Sequence, residues 1–254
     1  MKLIDIHAHL TFKSFRKDLD DVIARAKSRG IIAVIDSSID PKDFMKALDL
    51  KKKFRGYIYI TLGAAPQKLT KEQFEETLEL IDRYHKEVVA IGEVGLDYYW
   101  VKKEEDRNFL RQALEGLIEQ AKNYDKPIVI HNREATRDVI EILKKQQVER
   151  AVFHAFMGEL SEAFEIIRNG WMLSIPTIAV RINRLKRIVE KIEIEYIMLE
   201  TDSPFLSPIP KTRNEPANIK FLAEFIAKLK GIPPDRVAER TTENAMDFFK
   251  LPLI

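Results

Sequence analysis

Eight short apolar runs, each followed by a longer stretch with apolar positions three or four apart, succeed one another along the chain. The runs at 3–9, 31–37, 57–62, 88–93, 127–131, 151–155, 171–176 and 197–201 are rich in Ile and Val. Nearly continuous apolar character of that kind marks strands covered on both faces. Helical spacing fills 17–29, 41–54, 70–84, 104–124, 135–146, 159–169, 183–191 and 218–230. Thr70 with Gln73 forms a capping box, and Gly30 and Gly170 stand where C-terminal caps belong. A last helix over 241–249 is expected beyond a break at Pro233-Pro234. The repeat averages about 32 residues, the spacing of a (β/α)8 TIM barrel. An open doubly wound sheet uses the same alternation, and periodicity does not separate the two. No Gly/Ser-rich or Pro-rich linker divides the chain, so one domain over 1–254 is expected.

Composition narrows the chemistry. The chain has no cysteine, which removes disulfides, thiolate nucleophiles, Cys-ligated zinc and iron–sulfur clusters together. Any metal must use His, Asp or Glu. With 42 basic against 40 acidic side chains the net charge is +2, too small for a protein that coats duplex DNA by counterion release. It leaves room for local basic patches. The apolar runs are too short to cross a bilayer, so no membrane partner is expected. Asp5 and His7 interrupt the apolar start, which is unlike a signal peptide, and a cytoplasmic location is the default.

The residues at the strand ends separate the two folds. Four of the five histidines fall there: His7 and His9 on the first strand, His131 on the fifth, His154 on the sixth. Glu93 ends the fourth and Asp202 follows the eighth. In a parallel barrel these ends open onto one face, where catalytic groups gather. Taken singly, each has a bland explanation. A lone buried His is more often a satisfied core residue, and Asp before Ser-Pro is more often a turn residue. Jointly the bland explanations fail, because five separate strand ends supply only metal-capable groups. His85, at the end of the third helix, is read instead as a cation favouring the helix dipole. Six donors over-supply one ion, so two divalent ions bridged by a carboxylate is the natural count, with zinc, manganese, magnesium, nickel or cobalt all open.

The segments Asp5-Ile6-His7-Ala8-His9-Leu10, Ile91-Gly92-Glu93-Val94-Gly95-Leu96-Asp97, Pro127-Ile128-Val129-Ile130-His131-Asn132-Arg133 and Glu200-Thr201-Asp202-Ser203-Pro204-Phe205-Leu206 carry a resemblance. With Arg213-Asn214-Glu215-Pro216 and Thr242-Glu243-Asn244-Ala245 they make the chain similar to TatD-family metal-dependent hydrolases of the amidohydrolase-like superfamily. The resemblance implies that His7, His9 and Asp202 hold one ion, that His131 and His154 hold the other, and that Glu93 bridges them. It implies a nucleophilic hydroxide shared by the ions, Asp202 as the base that orients it, and deoxyribonuclease activity at strand ends.

Two departures concern substrate handling. The family's Gly-X-His-Pro after the third strand is here Gly63-Ala64-Ala65-Pro66, and its Phe-Ser-Gly after the sixth is Phe156-Met157-Gly158. Neither touches a metal donor. Around the barrel mouth the sequence places Lys102, Lys103, Arg133, Arg181, Arg184, Lys186, Arg187, Lys211 and Arg213. Arg133 and Arg213 are the better phosphate candidates, because they lie in or beside matched motifs; Arg184–Arg187 reads equally well as a solvated helix face. Tyr98, Tyr99 and Trp100 offer aromatic faces for unpaired bases, with Tyr98 taken as a substrate contact. The expected substrate is single-stranded or frayed DNA ends. The alternative keeps the metals and changes the substrate to a carboxylic ester or amide, such as an aminoacyl ester on RNA. Gly-X-Gly-X-X-Gly, a Walker loop, a Gly-X-Ser-X-Gly elbow and His-Glu-X-X-His are all missing.

Overall fold

The structure, a computed structural model, describes residues 1–252. Eight parallel strands run in the order β1 to β8: β1 (Leu3–Ala8), β2 (Ile31–Ser37), β3 (Ile58–Leu62), β4 (Ala90–Asp97), β5 (Ile128–Arg133), β6 (Ala151–Phe153), β7 (Met172–Pro176) and β8 (Ile197–Glu200). Helices α1 (Leu19–Ser28), α2 (Pro41–Lys53), α3 (Lys71–Tyr84), α4 (Glu104–Asn123), α5 (Thr136–Lys145), α6 (Leu160–Arg168), α7 (Asn183–Lys191) and α8 (Ile219–Lys230) cover the outside. This is the (β/α)8 barrel. The capping box at Thr70 forms as expected, and Gly30 and Gly170 both take left-handed backbone just past their helices.

One helix differs from expectation. The last, α9 (Pro234–Phe249), starts at the double proline rather than at residue 241. Pro234 occupies the first helical position, where its missing N–H has no partner to lose. The carbonyl of Pro233 accepts from the N–H groups of Arg236 and Val237. Phe248 and Phe249 of α9 then plug the lower barrel against Ile4, Ile6, Ala33, Ile35, Val129, Val152 and Met198. A larger apolar layer lies between strands and outer helices. No helix among the described residues is long and apolar enough to cross a membrane.

The barrel closes where β8 meets β1. His9 N donates to Ser203 O at 2.8 Å, and Asp202 N donates to His7 O at 2.9 Å. Below them Asp5, fully buried, accepts from Thr201 N at 2.9 Å and from Thr201 Oγ1 at 2.6 Å. Burial outweighs these bonds and pushes the Asp5 carboxyl up to about 8.

Along a strand, inward and outward positions alternate. On β5 and β6 the alternation carries the apolar interior at Val129 and Val152 directly to His131 and His154. On β1 it does not: continued from Ile4 and Ile6, it would send Ala8 inward. A register shift between Asp5 and Ala8 changes the phase and admits His7 and His9. On β4 a shift between Ile91 and Val94 does the same for Glu93, three residues after Ala90 faces in. Gly95 makes the second shift possible, since a Cβ there would lie 1.9 Å from His131 O. Gly95→Ala must therefore push β4 off β5, and its φ of +151° adds backbone strain. We expect a loss of about 3 kcal/mol or more in urea unfolding. A variant within about 0.5 kcal/mol of the parent would refute this account of the β4–β5 contact.

Candidate metal centre

The six donors come from five strands and meet inside the upper barrel. Glu93 is not at the end of its strand, as the sequence suggested, because the register shift lets β4 resume pairing with β5 as far as Asp97 opposite Arg133. Its Oε1 lies 2.8 Å from His131 Nδ1 and 3.5 Å from His154 Nε2. Its Oε2 lies 3.4 Å from His7 Nε2 and 3.8 Å from His9 Nε2. Each oxygen thus faces its own pair of imidazoles. Asp202 Oδ1 stands 3.2 Å from His9 Nε2 and 3.9 Å from His7 Nε2. The donor atoms fall into three overlapping sets able to hold a metal ion: His7–His9–Glu93, Glu93–His131–His154 and His7–His154–Asp202, each within 4.8 Å.

Three rings are aimed from behind. His9 Nδ1 donates to the Ser37 carbonyl at 2.8 Å. His131 Nε2 faces Asp97 Oδ2 at 3.0 Å, which turns its Nδ1 toward Glu93. His154 Nδ1 lies 3.5 Å from Glu200 Oε1, an oxygen that also accepts from Ala155 N at 2.7 Å. Acceptors behind ligand imidazoles fix the tautomer and raise basicity. Asp97 and Glu200 lie in segments that carry the family resemblance, but nothing in the sequence assigned them a role. Their one signal was the inward alternation 93–95–97 on β4 and 198–200 on β8, and on β4 that is visible only once the strand is known to continue. Gln67, after β3, also reaches the centre, its side-chain amide nitrogen 3.2 Å from His131 Nε2. The residue standing where the family pattern has histidine, Ala65, has no such reach.

Charge is divided unevenly. Burial alone would raise Glu93, yet His154, His131 and His7 outweigh it and hold the carboxyl well below its usual range. Against burial, Asp202 and Glu93 push His9 up to about 9. Burial likewise opposes His154, but Glu93 and Glu200 hold it well above its ordinary value. His7 goes the other way, to about 4, through burial and the repulsion of His154. The two rings stack with centroids 4.0 Å apart. Neutral His7 is fully buried, and neither ring nitrogen has a hydrogen-bond partner. Orphaned imidazole nitrogen in such a place needs an electron-pair acceptor. Imidazole and carboxylate donors without thiolate suit borderline divalent cations. The donor set fits a metal.

The expected substrate contacts are less uniform. Arg133 is exposed and its guanidinium lies 3.6 Å from the Tyr99 ring centre. Tyr98 is withdrawn into the wall at 9% exposure. Its hydroxyl donates to Asp138 at 2.5 Å and accepts from Arg111 at 2.7 Å, so α4 and α5 claim it. Burial, with Asp138, pushes that phenol up to about 12. The exposed rings are its neighbours Tyr99 and Trp100. Arg213 is no free cation either, since Asp18 holds both its terminal nitrogens at 2.8 and 2.6 Å. It ties the segment after β8 to the start of α1. Arg184 pairs with Glu159 at 2.8 Å, and His85 stacks on Tyr124 at 4.0 Å at the end of α3.

A ligand that binds only the folded chain stabilises it by about 2.7 kcal/mol at a hundredfold excess over Kd. For a chain of this size that raises the melting midpoint by roughly 5–10 °C. Zinc, manganese, cobalt and nickel, each compared with chelator, provide the measurement; midpoints unmoved by all four would count against the centre. Asp97→Ala should weaken the metal affinity by about 10–100-fold with the fold intact, read by competition with a chromophoric chelator.

Comparison with known proteins agrees with this geometry. The family model for TatD related DNase matches residues 4–250. Human deoxyribonuclease TATDN3 is 36% identical over 258 residues, covering 97% of this chain and 94% of the relative. A protein of Methanocaldococcus jannaschii described as an uncharacterized metal-dependent hydrolase is 36% identical over 254 residues, with 98% of each chain covered. Among solved structures, YjjV, a TatD homologue from Escherichia coli K12, superposes with a TM-score of 0.90 at 24% identity over 98% of both chains. Matched along nearly its whole length, the chain belongs to the TatD related DNase family of metal-dependent hydrolases.

Proposed function

We propose that the protein hydrolyses phosphodiester bonds at single-stranded or frayed DNA ends, using two divalent ions. One observation carries the reading: the two oxygens of Glu93 face separate pairs of histidines. In this assignment His7, His9 and Asp202 would hold one ion and His131 and His154 the other, with Glu93 available to both. Bound there, a pair of divalent ions supplies Lewis acidity and makes water acidic enough to attack near neutral pH.

The chain's own groups do the rest. Asp202 is the candidate base. Its side chain is 13% exposed, whereas that of Glu93 is 5% exposed, so it stands nearer the opening where water and substrate arrive. It accepts the proton of the attacking water at its carboxylate and orients it. His9, held between Ser37 O and Asp202, keeps that carboxylate in place. Arg133, on the rim beyond His131, takes a phosphate oxygen and is steadied by stacking on Tyr99. Tyr98 supports this rim from behind through Asp138 and Arg111, and Arg213 braces the segment after β8 against the start of α1 through Asp18.

The test is cleavage of 3′- and 5′-labelled single-stranded DNA across a panel of divalent metals, with an aminoacyl ester as comparison substrate. Asp202→Asn should lower turnover by about 10²–10⁴-fold at nearly unchanged DNA affinity, the size of a lost general base. Glu93→Ala should abolish turnover and reduce bound metal. Normal cleavage by the Glu93 variant, or hydrolysis of the aminoacyl ester alone, would overturn the reading.

A further inference from the structure

Beside the metal centre, the 3₁₀ turn Pro66–Lys68 and the start of α4 enclose a groove of about 490 Å³. That lies within the range of roughly 300–1,000 Å³ typical of small-molecule sites. Its lining is mixed: Lys68, Lys102 and Lys103 supply cations, Trp100 an aromatic face, and Gln67 an amide. Asp106 is the acid of the lining; of the other two in the first turn of α4, Glu104 is drawn off by Arg111. Lys68 and Lys103 have no ion-pair partner among the described residues, while Lys102 lies 3.8 Å from Glu134.

Both walls are tethered to the same histidine. Gln67 on one side approaches His131 Nε2 at 3.2 Å. On the other, Trp100 N donates to Asp97 Oδ1 at 3.0 Å, and Asp97 Oδ2 lies 3.0 Å from that same nitrogen. Gln67 lines the groove and reaches His131, so the groove adjoins the His131 side of the metal centre. Along its upper edge Trp100 meets Tyr99 edge-on at 5.1 Å, and Arg133 lies over Tyr99. Trp100 is 61% exposed, the most exposed large apolar side chain among the described residues. A large ring left in water beside unpaired lysines matches a ligand with a flat apolar face and a chain of anions.

We propose that this groove is a binding track for single-stranded nucleic acid, stacking a base on Trp100 and taking backbone phosphates on Lys68 and Lys103. The inference rests on the nuclease reading and adds the path of the strand. A nucleotide next to the one being cleaved leaves the centre past His131, between Gln67 and Trp100. Duplex does not enter this way, because its bases have no free face to offer. The track thus selects unpaired ends. Stacking is tolerant of base identity, so the track selects strandedness and not sequence.

Intrinsic fluorescence reports on it directly. The chain has two tryptophans, and Trp171 is 2% exposed, so a change on adding oligonucleotide comes from Trp100. The probe is dT8 with cleavage-resistant phosphorothioate linkages, added to the metal-loaded full chain. Emission should be quenched by dT8 and not by an abasic octamer of the same charge. By fluorescence anisotropy, Trp100→Ala should weaken dT8 binding about tenfold. Lys68→Ala and Lys103→Ala should each reduce the slope of log affinity against log salt by about 0.7. Unchanged emission, parent-like affinity and slopes in all three variants, or no binding of dT8 at low salt would each overturn the proposal. Cleavage of labelled DNA by the parent protein separates the two readings. Cleavage without these groove effects leaves the nuclease and removes the track; groove effects without cleavage by any metal leave the track and remove the nuclease.

Discussion

A strand presents its side chains with a period of two, and that constraint governs how this barrel can carry a metal centre at all. The lower interior must be apolar to pack against the Phe248–Phe249 plug, while the upper interior must be imidazole and carboxylate. On β5 and β6 one unbroken phase serves both layers. On β1 and β4 it cannot, because Ile6 and His7 are adjacent, and Ala90 and Glu93 are an odd number apart. The register shifts in the β1–β2 and β4–β5 ladders change the phase at the boundary between layers. The near-absence of a side chain at Gly92 and Gly95 lets β4 make that change against β5.

The same boundary explains the electrostatics. Once Glu93 is drawn inward it lies among four imidazoles and stays ionised despite burial, because the charge of its neighbours exceeds the desolvation cost. Two of the rings are held from behind by buried acceptors, the Ser37 carbonyl and Asp97, and His154 lies beside buried Glu200. The seam between β8 and β1 adds Asp202. Its position follows from backbone bonds between the two strands, with Asp5 and Thr201 fastening them one layer below. Closure of the barrel and completion of the donor set are one event.

Much of this was legible beforehand. Alternating short apolar runs and amphipathic stretches gave eight units, and His7, His9, Glu93, His131, His154 and Asp202 stood out as metal-capable groups at ends that a parallel barrel gathers. Local signals read well where they depend on neighbours in sequence, as at Thr70 with Gln73. They misled where a residue permits two outcomes. Proline breaks a helix in its interior and opens one at its first position, so Pro234 began α9 instead of ending something before it. Asp97 and Glu200 escaped notice because an acid near a strand end is unremarkable until its partner, brought from another strand, is known.

Rim residues show the limit most clearly. From sequence, Arg133 and Arg213 were the phosphate candidates and Tyr98, ahead of Tyr99 and Trp100, the aromatic contact; in the fold Arg213 is claimed by Asp18 and Tyr98 by Asp138 and Arg111, leaving Arg133 and Trp100 exposed. The sequence by itself determined the barrel, the chemical identity of the donors and the exclusion of thiol chemistry, since these follow from periodicity and residue type. Only the tertiary structure decided which way each donor points, which acceptors stand behind it and which cations remain unpaired. Those depend on strand phase and on partners distant in sequence, and neither is written in any local window of the chain.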